Sequence, residues 1–243
     1  MRRNPLVFVP LAAAVVMAGC FNPFSPQVLT QRVTTVAPSP TTPQNAVKLF
    51  EWCWKNRGVE EYKELFTADY LFASATTDSA GNTTRDVLTR RDDEVETAQN
   101  MFVGSAERPP AAKITLSFDQ NLVPFPDPRP GKNPIWHKTI RTSVDLTVEI
   151  EQNNLLEVTG HALFFLTRGD SAAIPTELKS RFGPDSLRWW IDRWEDETIG
   201  SAGVAAAVRR ARPGASQEVF ERSMAEVKAY FLSRPLALAP SAR

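Results

Sequence analysis

The chain has two cysteines, two histidines and no excess of charge, its 28 Lys and Arg balancing 28 Asp and Glu over 243 residues. Each shortage excludes something. Two cysteines cannot build a disulfide framework, so stability must come from packing. Two histidines, without Cys/His spacing or an EF-hand-like Asp/Gly pattern, supply no dedicated metal site, and no cofactor is expected. A balanced charge leaves no electrostatic footprint for nucleic acid. No apolar run is long enough to span a bilayer; the longest, Leu6 to Ala18, is about a dozen residues. What is present is the composition of a folded domain, 42% apolar and 23% charged, close to globular averages.

That short apolar run carries the clearest message. Arg2 and Arg3 precede it, and it stops at Met17-Ala18-Gly19-Cys20. A basic start, an apolar stretch and small residues at the cut site mark a secretory signal. Cysteine directly after Ala18-Gly19 resembles the bacterial lipobox, which implies that residues 1–19 are removed and that Cys20 is acylated as the first mature residue. The alternative is an ordinary secretory signal cut near Ala18. Phe21, rather than aspartate, follows the cysteine, and by resemblance to lipoprotein sorting this implies the outer membrane, facing the periplasm. Loss of Arg2 and Arg3 leaves the basic residues two short of the 28 acidic ones. With Cys20 lipidated, Cys53 has no partner and reads as a small buried hydrophobe among Leu49, Phe50 and Trp54.

From Phe21 to Thr42 the sequence is rich in Pro, Thr, Ser and Val without periodicity, so residues 20–42 are expected to form a lipidated tether. A domain over 43–197 and a helical extension over 198–243 should follow. Thr42 can cap a helix with Pro43 at its first position. Ala46, Leu49, Phe50, Cys53 and Trp54 recur at helical steps, and Gly58 offers a left-handed stop. A second helix is expected over Val59 to Phe66, a strand over Tyr70 to Ala75, and a third helix from about Thr84 to Val103. On that helix Arg90, Arg91, Asp92, Asp93 and Glu94 read as a solvated face.

After Pro109-Pro110 the period becomes two. Ile140, Thr142, Val144, Leu146, Val148 and Ile150 share one face of a long strand; Leu156, Val158, Ala162, Phe164 and Leu166 share one face of the next. A three-residue loop at Gln152-Asn153-Asn154 would set Val148 opposite Val158 and Asp145 opposite His161. A last strand, Leu187 to Glu197, carries Trp189, Trp190 and Trp194. A further helix is expected over Ser216 to about Leu232, with an apolar stripe of Val219, Phe220, Met224, Val227 and Phe231.

Helix, helix, strand, helix and then long curved antiparallel strands form an order similar to that of the α+β cone of nuclear transport factor 2, ketosteroid isomerase and SnoaL-like polyketide cyclases. The markers are Pro43-Gln44-Asn45-Ala46-Val47, Asp69-Tyr70-Leu71-Phe72 and Trp189-Trp190-Ile191-Asp192-Arg193-Trp194-Glu195-Asp196. Together with the lipobox, Arg129-Pro130-Gly131-Lys132 before Trp136-His137-Lys138, and Glu226-Val227-Lys228-Ala229-Tyr230-Phe231, the chain resembles a group of bacterial lipoproteins carrying this fold. The resemblance implies a fold and a place but no reaction.

Enzymes of this fold hold an acid or base inside the cone. The inward face of the two long strands offers the Thr142 hydroxyl and no ionisable group, so Thr142, Val144, Leu146 and Phe164 are at most pocket-lining residues. Asp145 and His161, a carboxylate that could orient an imidazole, are the only catalytic candidates, and they lie on the outer face among Glu149, Glu151 and Glu157. His137 reads as a surface histidine. Pro124-Phe125-Pro126-Asp127-Pro128-Arg129-Pro130 should be a stiff extended turn, either a rigid loop or a ridge for docking a partner. Arg209, Arg210 and Arg212 read as a solvated cluster. The sequence therefore favours a non-catalytic binding or assembly module. Its partners would be the membrane, through acyl chains on Cys20, and another envelope protein or a hydrophobic small molecule. An isomerase, cyclase or hydrolase-like enzyme and a structural envelope component are the alternatives.

Overall fold

Thr42 opens the first helix as its side chain allows: in an extended conformation, its Oγ1 accepts from the Asn45 N–H at 3.1 Å, with Pro43 in the first turn. The structure, a computed structural model, describes residues 36–77, 83–150, 154–183, 187–198 and 218–232. The signal segment, Cys20, most of the tether, the Gln152-Asn153 loop and the Arg209, Arg210 and Arg212 cluster lie outside the described residues.

Helix α1 (Pro43–Asn56) buries Ala46, Val47, Leu49, Phe50, Cys53 and Trp54. Its stop corrects the expectation. Arg57, not Gly58, takes the left-handed conformation, at φ 58°. The strain is offset because the Arg57 guanidinium donates to the carbonyls of Phe102 at 3.1 Å, Ala111 at 2.5 Å and Ala112 at 3.0 Å. Glycine is needed at 58 for space, since a Cβ there would lie 2.7 Å from the Trp52 ring. Helix α2 (Val59–Lys63) is shorter than expected, because Phe66 already belongs to strand β1 (Phe66–Thr77).

The long third helix is also corrected. Thr83–Arg90 is strand β2, antiparallel to β1 with Ala73 opposite Val87 and Leu71 opposite Arg90. Thr83, Thr84, Val87 and Thr89 are β-branched and favour a pleated surface over a helix. Helix α3 is left with Arg91–Phe102, its first turn carrying Asp92, Asp93 and Glu94 beside the positive end of the helix dipole.

Strands β3 (Lys113–Phe118), β4 (Phe125–Pro126), β5 (His137–Ile150), β6 (Asn154–Thr167), β7 (Trp190–Thr198) and β8 (Glu218–Glu221) complete one sheet. Its order is β2-β1-β7-β6-β5-β3, with β4 on β5 and β8 on β6. Most pairs are antiparallel; β1 with β7 and β6 with β8 are parallel. The even-numbered face of β5 and β6 is buried as the periodicity requires, but the register is two residues from the expected one. Val148 pairs with Leu156, Leu146 with Val158 and Val144 with Gly160. A slip of two preserves the face and changes every partner.

The C-terminal segment is corrected in the same way: a strand, β8, precedes a shorter helix α4 (Met224–Phe231). Ser223 and Glu226 close a reciprocal capping box at its start, the Glu226 N–H reaching Ser223 Oγ at 3.2 Å and the Ser223 N–H reaching Glu226 Oε2 at 2.8 Å. The stripe residues Met224, Val227 and Phe231 are buried in the domain's own core. The compact unit starts at Ala37, and the Pro40 carbonyl accepts from the Trp189 N–H at 2.8 Å.

These elements form the α+β cone, helices packed on a curved, unclosed sheet. Its interior is occupied. The Phe50 ring meets Trp54, Tyr62, Phe66, Phe118, Phe164 and Trp194 at centroid separations between 5.1 and 6.4 Å, within the range in which aromatic pairs attract.

Candidate functional site

From Ile140 to Ile150 and from Leu156 to Leu166 the inward face of β5 and β6 carries no ionisable side chain, but the interior is not free of charge. Glu94 from α3 and Lys228 from α4 are each 1% exposed and form an ion pair, the Lys228 ammonium donating to Glu94 Oε2. The Tyr62 hydroxyl donates to Glu94 Oε1 at 2.6 Å. The ammonium also lies 3.6 Å from the Phe72 ring centroid and 3.8 Å from that of Trp194, so aromatic faces cover the flanks that water would otherwise solvate. Asp196 on β7 is 1% exposed and accepts from the Ala225 N–H in the first turn of α4 at 3.3 Å.

The electrostatics follow from this enclosure. Burial pulls Lys228 from its ordinary 10.5 down to about 8, against the opposing pull of Glu94 and Asp196. Burial, and then the Glu94 charge, push the Tyr62 and Tyr70 phenols well up. Both phenols are therefore neutral, and Tyr62 serves as a donor. The Glu94 carboxylate holds an ammonium and a phenol inside packed rings. Its effect is to tie α4 to α3, a tie extended by Asn100 Nδ2 donating to the Phe231 carbonyl at 2.9 Å and by the Arg108 guanidinium 4.3 Å over the Tyr230 ring.

This cluster corrects the reading of Arg90 to Glu94 as a solvated face in part: Arg90 and Asp92 are exposed, but Glu94 is buried. Because α3 starts at Arg91 rather than near Thr84, its buried residues are Glu94, Thr97, Ala98, Asn100, Met101 and Phe102. Arg91 is also largely covered, donating to the Lys63 carbonyl at 3.1 Å and pairing with Glu177 at 2.6 Å. Lys228 was masked by its charge. It stands four residues from Met224 and three from Phe231, on the apolar stripe itself, and that spacing was the available signal.

The candidate residues fall elsewhere. Thr142, Val144, Leu146 and Phe164 are 3% exposed or less and belong to the packed core, Phe164 stacking on Trp194 at 5.6 Å. Thr142 Oγ1 accepts from the Asp119 N–H at 3.0 Å, so its hydroxyl is engaged. The register sets Asp145 opposite Thr159 and His161 opposite Ser143, which places the two on a diagonal and corrects the expected facing pair. Asp119 is one carboxylate within reach of His161. Its pKa is held below the usual range by the Ser143 N–H at 2.8 Å, with Thr142 and the His161 charge adding to the effect. His137 caps the turn before β5, its Nδ1 beside the Asn133 N–H and carbonyl. Burial pushes the Cys53 thiol well up, which keeps it protonated and unreactive.

The proline-rich connection is fixed. Arg129 Nη2 binds Asp127 at 2.7 Å and Asp192 of β7 at 2.5 Å, and its guanidinium lies 4.3 Å over the Phe165 ring. Burial alone would raise the Asp127 pKa, but Arg129 holds it below the ordinary carboxylate value. Among the described residues, no His, Cys, Asp and Glu cluster could hold a metal ion. Open grooves occur on the surface, one of about 520 Å³ lined by residues including Lys48, Trp52, Lys55 and Asp119, and one of about 380 Å³ beside α3. Neither reaches Glu94 or Lys228.

No family model and no curated protein matches the sequence. Solved structures do match. A nuclear transport factor 2-like superfamily protein from Salmonella enterica is 13% identical, covering 66% of this chain and 90% of its own, with a TM-score of 0.39. A ketosteroid isomerase-like protein from Erwinia carotovora is 10% identical, covering 65% and 93%, with a TM-score of 0.38. The β subunit of benzoate 1,2-dioxygenase from Burkholderia mallei is 11% identical, covering 63% and 85%, with a TM-score of 0.39. They are what the chain is similar to, and they bear on no activity.

Proposed function

We propose that the protein is a lipid-anchored binding or assembly module of the bacterial cell envelope, held by acyl chains on Cys20 at the periplasmic face of the outer membrane, and that its cone domain is not catalytic. One observation carries the second half of this reading: the interior, where an enzyme of this shape would keep its substrate, is taken up by Phe50 and the rings around it, and the Glu94–Lys228 ion pair there is neutralised from within. A protein with that interior meets its partners on its outer surface. The first half rests on the lipobox residues Ala18-Gly19-Cys20. In addition, no helix among the described residues is long and apolar enough to cross a membrane.

The experiment is fractionation of cells carrying wild-type protein or Cys20→Ala, with native mass spectrometry of the protein extracted from its own membranes. The wild type should sediment with the outer membrane in high salt and carry acyl mass without a bound small molecule. Cys20→Ala protein that still behaves as an acylated membrane protein would overturn the anchor, and a stoichiometric small molecule that survives extraction would overturn the filled cone.

A further inference from the structure

Four large apolar side chains stand out from the domain near one end of the sheet. Phe125 and Ile135 are each 59% exposed, Trp136 is 43% and Leu187 69%. Scattered exposed apolar residues are normal, but Trp136 is held in place by a cation. The Arg168 guanidinium lies 4.8 Å over the Trp136 ring and 5.1 Å over the Trp189 ring, and the Arg168 N–H donates to the Trp136 carbonyl at 3.0 Å. Trp136 also rests on Gly169, whose φ is +74° and where a Cβ would come within 3.0 Å of the ring. The connection that carries Phe125 is fixed by Arg129 bridging Asp127 and Asp192.

The chain arriving from the N-terminus meets the domain at the same place. The Trp189 N–H donates to the Pro40 carbonyl at 2.8 Å, next to Arg168 and, through it, Trp136. Only 16 residues separate Cys20 from Ala37, a reach of at most about 60 Å at full extension. The outer sheet face, by contrast, carries Arg85 with Glu195 and Arg141 with Glu197, charges unsuited to an apolar phase.

Resting on the lipid-anchor reading, we propose that the Phe125–Ile135–Trp136–Leu187 patch docks into the interfacial layer of the bilayer that holds the Cys20 acyl chains. Indole rings favour the boundary between headgroups and acyl chains, an adjacent guanidinium suits lipid phosphate, and phenylalanine and aliphatic side chains enter the apolar edge. The tether makes this contact intramolecular, so four modest insertions suffice where a free domain would dissociate. Docking fixes the orientation of the cone, with the starts of β5 and β7 and the end of β6 toward the membrane.

The test uses the full mature lipoprotein reconstituted in phosphatidylethanolamine–phosphatidylglycerol vesicles, with and without brominated phosphatidylcholine as a quencher of tryptophan emission. Brominated lipid should quench part of the emission, Trp136→Phe should remove most of that quenchable part, and Phe125→Asp with Ile135→Asp should reduce it at least twofold with an unchanged circular dichroism spectrum. If the protein floats with the vesicles but its emission ignores brominated lipid, or is quenched equally in Trp136→Phe, docking is overturned while the anchor stands. If the protein does not float at all, the anchor reading fails and docking fails with it. Protection of the patch in native membranes but not in protein-free vesicles assigns it to a protein partner and overturns the proposal.

Discussion

Lys228 and Glu94 meet inside the cone although they stand 134 positions apart in the chain, and each is 1% exposed. Truncating one partner strands the other charge in a low-dielectric interior, which costs about 3–5 kcal/mol. Glu94→Ala and Lys228→Ala should each lose that much, while Glu94→Leu combined with Lys228→Met should be less destabilised than either. Urea unfolding of the wild type, the two single variants and Glu94→Ala combined with Lys228→Ala gives the cycle. Single-variant losses that simply add would show that the residues do not act as a pair.

The same burial gives a pH signature. Folded Lys228 releases its proton near 8 rather than at the ordinary 10.5, so between these values the unfolded chain binds more protons at this position. Its contribution to the unfolding free energy therefore rises with pH across that window, and below about 8 the cost of burying the ammonium is carried in full. The charged groups acting on it are Glu94 and Asp196, and Tyr62 shares Glu94 with it. A 13C NMR titration of the lysine Cε resonances should show Lys228 titrating apart from the surface lysines and earlier than they do. Coincidence with them would mean that the Glu94 carboxylate and the aromatic faces outweigh desolvation.

The two strongest features of the sequence were legible for opposite reasons. Thr42-Pro43 is a local signal whose geometry needs no other part of the chain, and the alternation in β5 and β6 fixes which face is buried whatever the pairing. The pairing itself was not legible, because period two is unchanged by a slip of two residues and the turn that decides it gives no unique geometry. Glu94 and Lys228 were hidden more deeply: periodicity assigns charge to solvent, and only the meeting of α3 with α4 supplies the partner that makes burial tolerable. Thr83 to Arg90 misled because its apolar residues also fit a helical spacing, and pairing with β1 decided for the strand.

The C-terminal segment is expected to be part of the folding unit. Met224, Val227 and Phe231 are 2% exposed or less, and each such side chain contributes about 1.5–3 kcal/mol. Phe231→Ala should cost about 3–5 kcal/mol, and truncation after Thr198 should lower the melting temperature sharply and expose surface that binds a hydrophobic dye. An unchanged melting temperature in both would mean that α4 is an independent appendage.

Asp145→Asn and His161→Ala should change stability by no more than about 0.5 kcal/mol, the range of surface substitutions, and should leave any cellular phenotype of the protein intact. Asp145 is exposed and the two residues are not directly opposed. A loss of function beyond about a hundredfold in either variant, with stability unchanged, would restore an acid–base role.

The filled interior separates a binding module from an enzyme. A crystal of the domain pressurised with xenon reports this directly, since xenon enters apolar voids that water leaves empty. The expected result is no xenon site among Phe50, Phe164, Trp194 and Glu94. A well-occupied xenon atom between α1 and the β5–β6 face would reveal a chamber able to hold an apolar ligand, and would contradict the non-catalytic reading at its base.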